Sequence, residues 1–190
     1  MVQVNLPNRQ ATIELGQRLA PFLQAGDVLV LNGDLGAGKT TFTKGLATGL
    51  GINQMIKSPT FTIIREYQSG RLPLYHMDIY RLEDGGAEDL GLEEYFDGDG
   101  VSVVEWAQFI EDELPTDYLS LSFTRTDQEN ERQLKVVPHG EHFEKLVEEW
   151  LHDDKWDQSS CSWAGGCFPT INFFAPGGDR ESGNLTTWVG

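Results

Sequence analysis

The sequence predicts a three-layer α/β fold in which helices flank a mixed central sheet. Two short apolar runs, at residues 27–32 and Val101–Glu105, are typical of strands buried on both faces of a parallel sheet. A glycine-rich turn and a helix-forming segment follow the first run, which is the order of elements found in α/β folds. Two β-rich segments at 60–67 and 72–80 predict a hairpin-like pair, so we expect the sheet to be mixed.

The other elements follow from local periodicity and from their end signals. Apolar residues recur at near-helical spacing after Pro7, which predicts an amphipathic helix. The segment after the glycine-rich turn is rich in helix formers, and glycines, which commonly end helices, close it. Predicted helices cover 10–23, 39–50, 87–96, a segment after Glu105 that ends at Leu114, and 142–151, while two further strands cover 118–124 and 133–137.

The chain of 190 residues is long enough for one domain with a continuous core, which we place at 1–151. From about residue 152 the sequence carries paired glycines, several aromatic residues and no sustained period. We therefore expect 152–190 to be a C-terminal extension that is disordered or loosely packed, and that supplies no strand to the sheet.

Charge and hydropathy argue against two classes of function. Thirty acidic residues against fourteen basic ones give a formal charge of −16, so strong direct binding to nucleic acid is not expected. No run of about 18 apolar residues could span a membrane. The N-terminus lacks the features of a secretion signal, so we expect a cytoplasmic protein.

The segment GDLGAGKT at residues 33–40 fits the pattern GxxxxGK[ST]. Phosphate oxygens need several converging N–H donors, which a glycine-rich turn at the start of a helix supplies. Lys39 is expected to reach the β- and γ-phosphates, and Thr40 to bind Mg²⁺. The fold class is therefore predicted to be a P-loop NTPase fold that binds ATP through Asp34, Leu35, Gly36, Ala37, Gly38, Lys39, Thr40 and Thr41.

A phosphate loop also needs an acid for magnesium or its waters, usually at the end of a neighbouring apolar strand. Glu105 closes the run VSVVE and is the first candidate, although it could merely begin a helix. Asp78 is the second. On a strand it would share one face with His76 and Tyr80, and that face could instead be a solvated edge.

Thr60 lies in the segment SPTFT at residues 58–62, about twenty residues after the phosphate loop. A hydroxyl on a proline-stiffened loop at this point could sense the γ-phosphate, as switch segments do in nucleotide-triphosphate hydrolases. The alternative is a loop that only leads into the next strand.

Taken together, five motifs in this order resemble the TsaE family, the ATPase subunit of the bacterial machinery that makes threonylcarbamoyladenosine in tRNA. The motifs are GDLGAGKTTFTKGLA, KSPTFTI, YHMDIYRL, GLEEYF and VVEWAQ, and the resemblance covers roughly residues 10–137. It implies hydrolysis of ATP with Mg²⁺, and it implies two partner subunits, TsaB and TsaD, the second of which handles tRNA.

The resemblance also assigns roles to individual residues. It places 36–41 on the phosphates, Thr40 and Glu105 on magnesium, Asp78 as a supporting acid and Trp106 beside the site. It further places Gln10 near the nucleotide base and Arg132 near the nucleotide.

The expected reaction is slow hydrolysis of ATP to ADP and phosphate, with the attacking water oriented by Glu105 or Asp78. No arginine stands out as a finger, so a partner is expected to complete the site. A small-molecule kinase is one alternative, but no arginine-rich lid segment is visible. A non-catalytic nucleotide switch is the other.

Overall fold

The computed structural model describes residues 1–82, 86 and 90–152, together with the backbone of 171–173. Within these ranges no helix is both long and apolar enough to cross a bilayer. The strands are β1 (Val2–Leu6), β2 (Val28–Asn32), β3 (Ile64–Tyr67), β4 (Leu74–Asp78), β5 (Val101–Glu105), β6 (Tyr118–Arg125), β7 (Arg132–His139) and β8 (Ile171–Phe173), and the helices are α1 (Arg9–Leu19), α2 (Lys39–Gly49), α3 (Leu92–Phe96) and α4 (Glu141–His152).

All described strands join one mixed sheet in the order β3-β4-β5-β2-β6-β7-β1-β8. The four strands β4, β5, β2 and β6 are parallel, and the strands on either side of them pair antiparallel. This arrangement confirms the predicted mixed sheet. The carboxyl ends of β2, β4 and β5 therefore meet at one edge of the sheet.

Apolar side chains of the central strands alternate between two cores on opposite faces of the sheet. On β2, Leu29 and Leu31 belong to the larger core, which α1, α2 and α4 cover, while Val28 and Val30 belong to the smaller core, to which α3 contributes. Each face is thus buried by helices, as the apolar run predicted. The three-layer prediction is confirmed.

Helices α1 and α2 pack closely because glycines lie at their contact. A Cβ added at Gly45 would overlap the carbonyl oxygen of Ile13, and one added at Gly16 would lie 2.8 Å from the backbone nitrogen of Leu46. The obstacles are backbone atoms, so a side-chain rotation cannot relieve them. This contact fixes the position of α2, and with it the residues of its first turn.

One strand was not predicted, and two local predictions are wrong. Strand β1 was not predicted, although Val2, Val4 and Leu6 alternate as buried residues along it. The helix expected after Glu105 is only a 3-10 turn at Ala107–Phe109, because the backbone leaves the helical conformation at Ile110, whose φ is −138°. Tyr80 lies in a 3-10 turn (Ile79–Leu82) beyond β4, so it does not share a strand face with His76 and Asp78.

The expectation that the extension supplies no strand is also wrong. Strand β8 pairs antiparallel with β1, with Val2 opposite Phe173 and Val4 opposite Ile171. The outer backbone groups of β1 need hydrogen-bond partners, which β8 provides. The rest of the predicted extension, 153–170 and 174–190, and residues 87–89 of the predicted helix 87–96 lie outside the described residues. The domain boundary at 151 stays a prediction.

Candidate functional site

Three glycines shape the turn between β2 and α2. Gly33, Gly36 and Gly38 have φ values of 133°, 74° and 123°, which residues with a side chain rarely adopt. Gly38 is the N-cap of α2, so Lys39 is the first residue of the helix. The first N–H groups of a helix lack partners within it and carry a partial positive charge, which favours an anion at this position.

The turn forms one wall of a cavity of about 580 Å³ at the carboxyl edge of the sheet, a size that suits a small-molecule ligand. Its other walls come from the ends of β4 and β5 and from the segment before β3. The cavity is lined by Leu35, Gly36, Gly38, Lys39, Thr40, Thr41, Ser58, Thr60, Asp78, Tyr80, Glu105 and Trp106.

Lys39 is a buried cation held among oxygen atoms. Its Nζ donates to the carbonyl oxygens of Gly33 at 2.6 Å and Asp34 at 3.2 Å, and it lies 3.6 Å from Oε2 of Glu105. The ammonium group is also 5.1 Å from the ring centroid of Trp106. Lys39 is only 6% exposed. Because a buried charge needs polar partners, the two carbonyl groups and the Glu105 carboxylate replace the water that its ammonium group has lost.

Two carboxylates stand side by side because Asp78 and Glu105 are register partners on the parallel strands β4 and β5. Both are 4% exposed, and His76 of the same strand face is fully buried, so the alternative of a solvated strand edge is wrong. Glu105 ends a strand and does not begin a helix. Nε2 of His76 lies 2.9 Å from Oε1 of Glu105.

The segment 58–63 is tied to Asp78. The hydroxyl of Thr60 donates to Oδ2 of Asp78 at 2.6 Å, and the backbone N–H of Asp78 donates to the carbonyl of Ile63 at 2.8 Å. Ile63 has φ 63°, an uncommon value for a β-branched residue and one that stores backbone strain. The hydroxyl of Thr60 is therefore bonded to Asp78, an acid of the cavity, and the segment that carries Thr60 ends in strained backbone at Ile63.

The profile of the family described as "Threonylcarbamoyl adenosine biosynthesis protein TsaE" matches residues 6–134. The chain belongs to the TsaE family. It is 52% identical over 147 residues to the tRNA threonylcarbamoyladenosine biosynthesis protein TsaE of Bacillus subtilis, a match that covers 77% of this chain and 92% of that protein. It is 43% identical over 142 residues to the protein of the same name from Nostoc sp., covering 73% of this chain and 86% of the other.

A solved structure agrees with this assignment. The crystal structure of Bacillus subtilis YdiB aligns with a TM-score of 0.72 and 46% identity, covering 81% of this chain and 98% of that one. The predicted P-loop NTPase-type fold is thereby confirmed, and the resemblance to the TsaE family is confirmed with it.

In this TsaE family member two arginines of the β6–β7 hairpin donate hydrogen bonds to the backbone of the glycine-rich turn. Arg125 donates to the carbonyl of Leu35 at 2.7 Å, and Nε of Arg132 donates to the carbonyl of Ala37 at 3.1 Å. A Cβ added at Gly36 would collide with the guanidinium of Arg125. Neither arginine lines the cavity. Both stabilise the shape of the turn from outside it.

The oxygen atoms in the cavity suit magnesium. Mg²⁺ prefers oxygen ligands, retains waters and binds to one or two protein carboxylates together with phosphate oxygens. In the described part of the cavity lining, Thr40 offers a hydroxyl, and Asp78 and Glu105 offer two carboxylates. Its one positively charged side chain is that of Lys39. In the described ranges no group of three or more His, Cys, Asp or Glu could hold a metal by itself. The donor set therefore fits a magnesium ion that arrives with a phosphate ligand.

The structure brings most of the predicted residues to one cavity and leaves four outside its lining. Asp34 and Ala37 belong to the turn, and Arg132 contacts it from outside. Gln10 is exposed on α1, where its amide donates to Glu14 at 2.7 Å. Sequence reasoning did not assign site positions to Ser58, His76, Tyr80 or Arg125. Ser58 could have been found from the SPTFT segment that contains it, and His76 and Tyr80 from the motif YHMDIYRL.

Proposed function

We propose that this chain hydrolyses magnesium-bound ATP to ADP and phosphate, and that this reaction supports formation of threonylcarbamoyladenosine in tRNA. One observation carries the proposal: a glycine-rich turn at a helix N-terminus, a buried lysine and two buried carboxylates line the same cavity. The family supports the biological setting, because the relatives from Bacillus subtilis and Nostoc are named for threonylcarbamoyladenosine biosynthesis.

In this proposal the chain acts mainly by positioning groups and by neutralising charge. Lys39 leaves its carbonyl partners to bind the β- and γ-phosphate oxygens, and the amides of the turn donate to the same phosphates. Thr40 and Glu105 would hold Mg²⁺, which neutralises phosphate charge when bound. With Glu105 on the metal, Asp78 is left to orient the attacking water.

Among the described residues that line the cavity, Lys39 is the one cation, so we infer that a second positive group is needed for fast turnover. We therefore propose that TsaB and TsaD complete the active assembly in the cytoplasm. The chain's charge of −16 disfavours direct binding to tRNA. If a partner subunit binds the RNA, this chain does not have to.

The test is steady-state hydrolysis of ATP by the chain alone and with TsaB and TsaD, each with the wild type and Lys39→Ala. Hydrolysis should be slow alone and strongly stimulated by the partners. Lys39→Ala should lower turnover or ATP affinity at least about tenfold, about 1.4 kcal/mol, because a buried charge on the phosphates is lost. Hydrolysis that Lys39→Ala leaves unchanged would place the nucleotide elsewhere.

A nucleotide switch is the second candidate, and the strained segment 58–63 tied to Asp78 favours it. In that case bound ATP alone would set the affinity for the partners. Partner binding should then be the same with ATP and with a non-hydrolysable analogue, and the complex should show no multiple turnover.

A further inference from the structure

His76 is a fully buried imidazole that bonds to one oxygen of Glu105. Its Nε2 lies 2.9 Å from Oε1, while its Nδ1 is buried and has no hydrogen-bond partner among the described residues. Glu105 as a carboxylate can only accept hydrogen bonds, so the ring must carry a proton on Nε2. A proton on Nδ1 would be a buried donor without an acceptor, whereas a bare Nδ1 leaves only a lone pair. The surroundings therefore select the tautomer that donates to Glu105.

The two oxygens of Glu105 have different partners as a result. Oε1 is bound to His76, and Oε2 lies 3.6 Å from the ammonium group of Lys39, which lines the cavity. Strand register produces this division. Asp78 is directly opposite Glu105, and His76, two residues earlier on β4, is opposite Val103, so its ring meets Glu105 along the diagonal.

We propose that His76 is a positioning residue for Glu105. By donating from Nε2 to Oε1, it holds the carboxylate so that Oε2 is presented to Lys39 and to the magnesium of the bound nucleotide. This inference rests on the proposed function, because it concerns the same site. Hydrogen-bond partners of metal-binding carboxylates typically change metal affinity about 10–100-fold when they are removed.

Two substitutions separate the donated hydrogen bond from the bulk of the ring. His76→Gln places an amide near the position of Nε2 and keeps a donor for Glu105. His76→Asn places its amide near Nδ1, too short to reach Oε1. The test measures ADP binding by the wild type and both variants, first without magnesium and then across a magnesium titration. Thermal unfolding of each protein shows whether it is folded.

The expected result is a selective loss of magnesium dependence in one variant. His76→Asn should raise the magnesium concentration for half-maximal tightening of ADP binding about 10–100-fold and leave magnesium-free affinity within about threefold. His76→Gln should stay close to the wild type. In a double-mutant cycle with Glu105→Gln, the two losses should not add, because both remove the same presented carboxylate.

Three results would overturn the proposal: an unchanged magnesium midpoint in His76→Asn, an equal defect in His76→Gln, or an equal loss of magnesium-free affinity. If His76→Asn does not fold, nitrogen-15 spectra of the wild-type histidine ring decide, since a ring with no proton on Nε2 contradicts the donation. A wild type that binds ADP without any magnesium dependence refutes the proposed function as well, whereas a normal wild type beside a normal His76→Asn refutes only this inference.

Discussion

Replacing Gly45 with alanine should force α1 and α2 apart. The new Cβ would lie 2.7 Å from the carbonyl carbon and 2.9 Å from the Cα of Ile13, and it would overlap the carbonyl oxygen. Carbon atoms in contact lie about 3.5–4.0 Å apart, so the helices must separate by about 1 Å. The strain of such overpacking is about 1–3 kcal/mol.

Helix propensity acts in the opposite direction. Alanine stabilises a helix interior by about 0.8–1 kcal/mol relative to glycine. The overlap is with backbone atoms, which no side-chain rotation can relieve, so the strain should lie at the upper end of its range, about 2–3 kcal/mol. That leaves a net destabilisation of about 1–2 kcal/mol. For a chain of this size the melting temperature should fall by about 2–8 °C.

The assay is thermal unfolding together with ATP affinity, and the matched control is Thr48→Ala. Thr48 is exposed on the same helix, and among the described contacts its hydroxyl donates only to the carbonyl of Lys44, at 2.9 Å. The control should stay within about 0.5 kcal/mol of the wild type. Since α2 begins at Lys39, Gly45→Ala should also weaken ATP binding. A Gly45→Ala protein that melts at or above the wild-type temperature would refute the packing argument.

Three further predictions concern charge, chain length and pH. Glu105→Gln keeps the size but loses the charge, so turnover should fall at least about tenfold and more than ATP affinity does; equal losses would indicate a structural role. A chain ending at Leu151 lacks β8 but keeps β1 paired with β7, so it should still bind ATP and should melt below the full chain; an unchanged melting temperature would show that the β8 pairing adds nothing to stability. Burial raises the pKa of Asp27 above 3.8 against the opposing bonds from Gln24 and His142, so folding favours the protonated acid. Its contribution to stability is therefore present below pH 3.8 and lost as the pH rises through the raised pKa. Asp27→Asn should gain stability relative to the wild type over that interval, and a constant difference in unfolding free energy would contradict this.

The site was predictable where its signals are local. The turn at residues 33–40 is recognisable from the spacing of its glycines, lysine and threonine, all within eight residues. Glu105 is recognisable because it ends an apolar strand. Contacts between distant strands were not predictable. His76 meets Glu105 across 29 residues and Arg125 meets Leu35 across 90, and each contact depends on the order and register of strands, which no local period encodes.

Parts of the fold escaped prediction for a different reason. The expected helix after Glu105 ends at Ile110 after a single 3-10 turn. Trp106, just before that turn, takes a left-handed conformation, which is not favoured at a bulky residue by any local propensity. Strand β1 did alternate visibly, but over only five residues. The pairing of β8 with β1 joins segments about 170 residues apart, beyond the reach of any window of sequence.

The pairing of β8 with β1 also covers the outer backbone edge of β1. An unpaired outer strand offers a row of N–H and C=O groups on which another chain can add a strand, and the reaction can then repeat without limit. Strand β8 occupies that row along Val2, Gln3 and Val4, and its own length of three residues makes it a poor template for the next addition. Strand β8 should therefore disfavour strand addition at β1, an effect expected at high protein concentration and not in dilute solution.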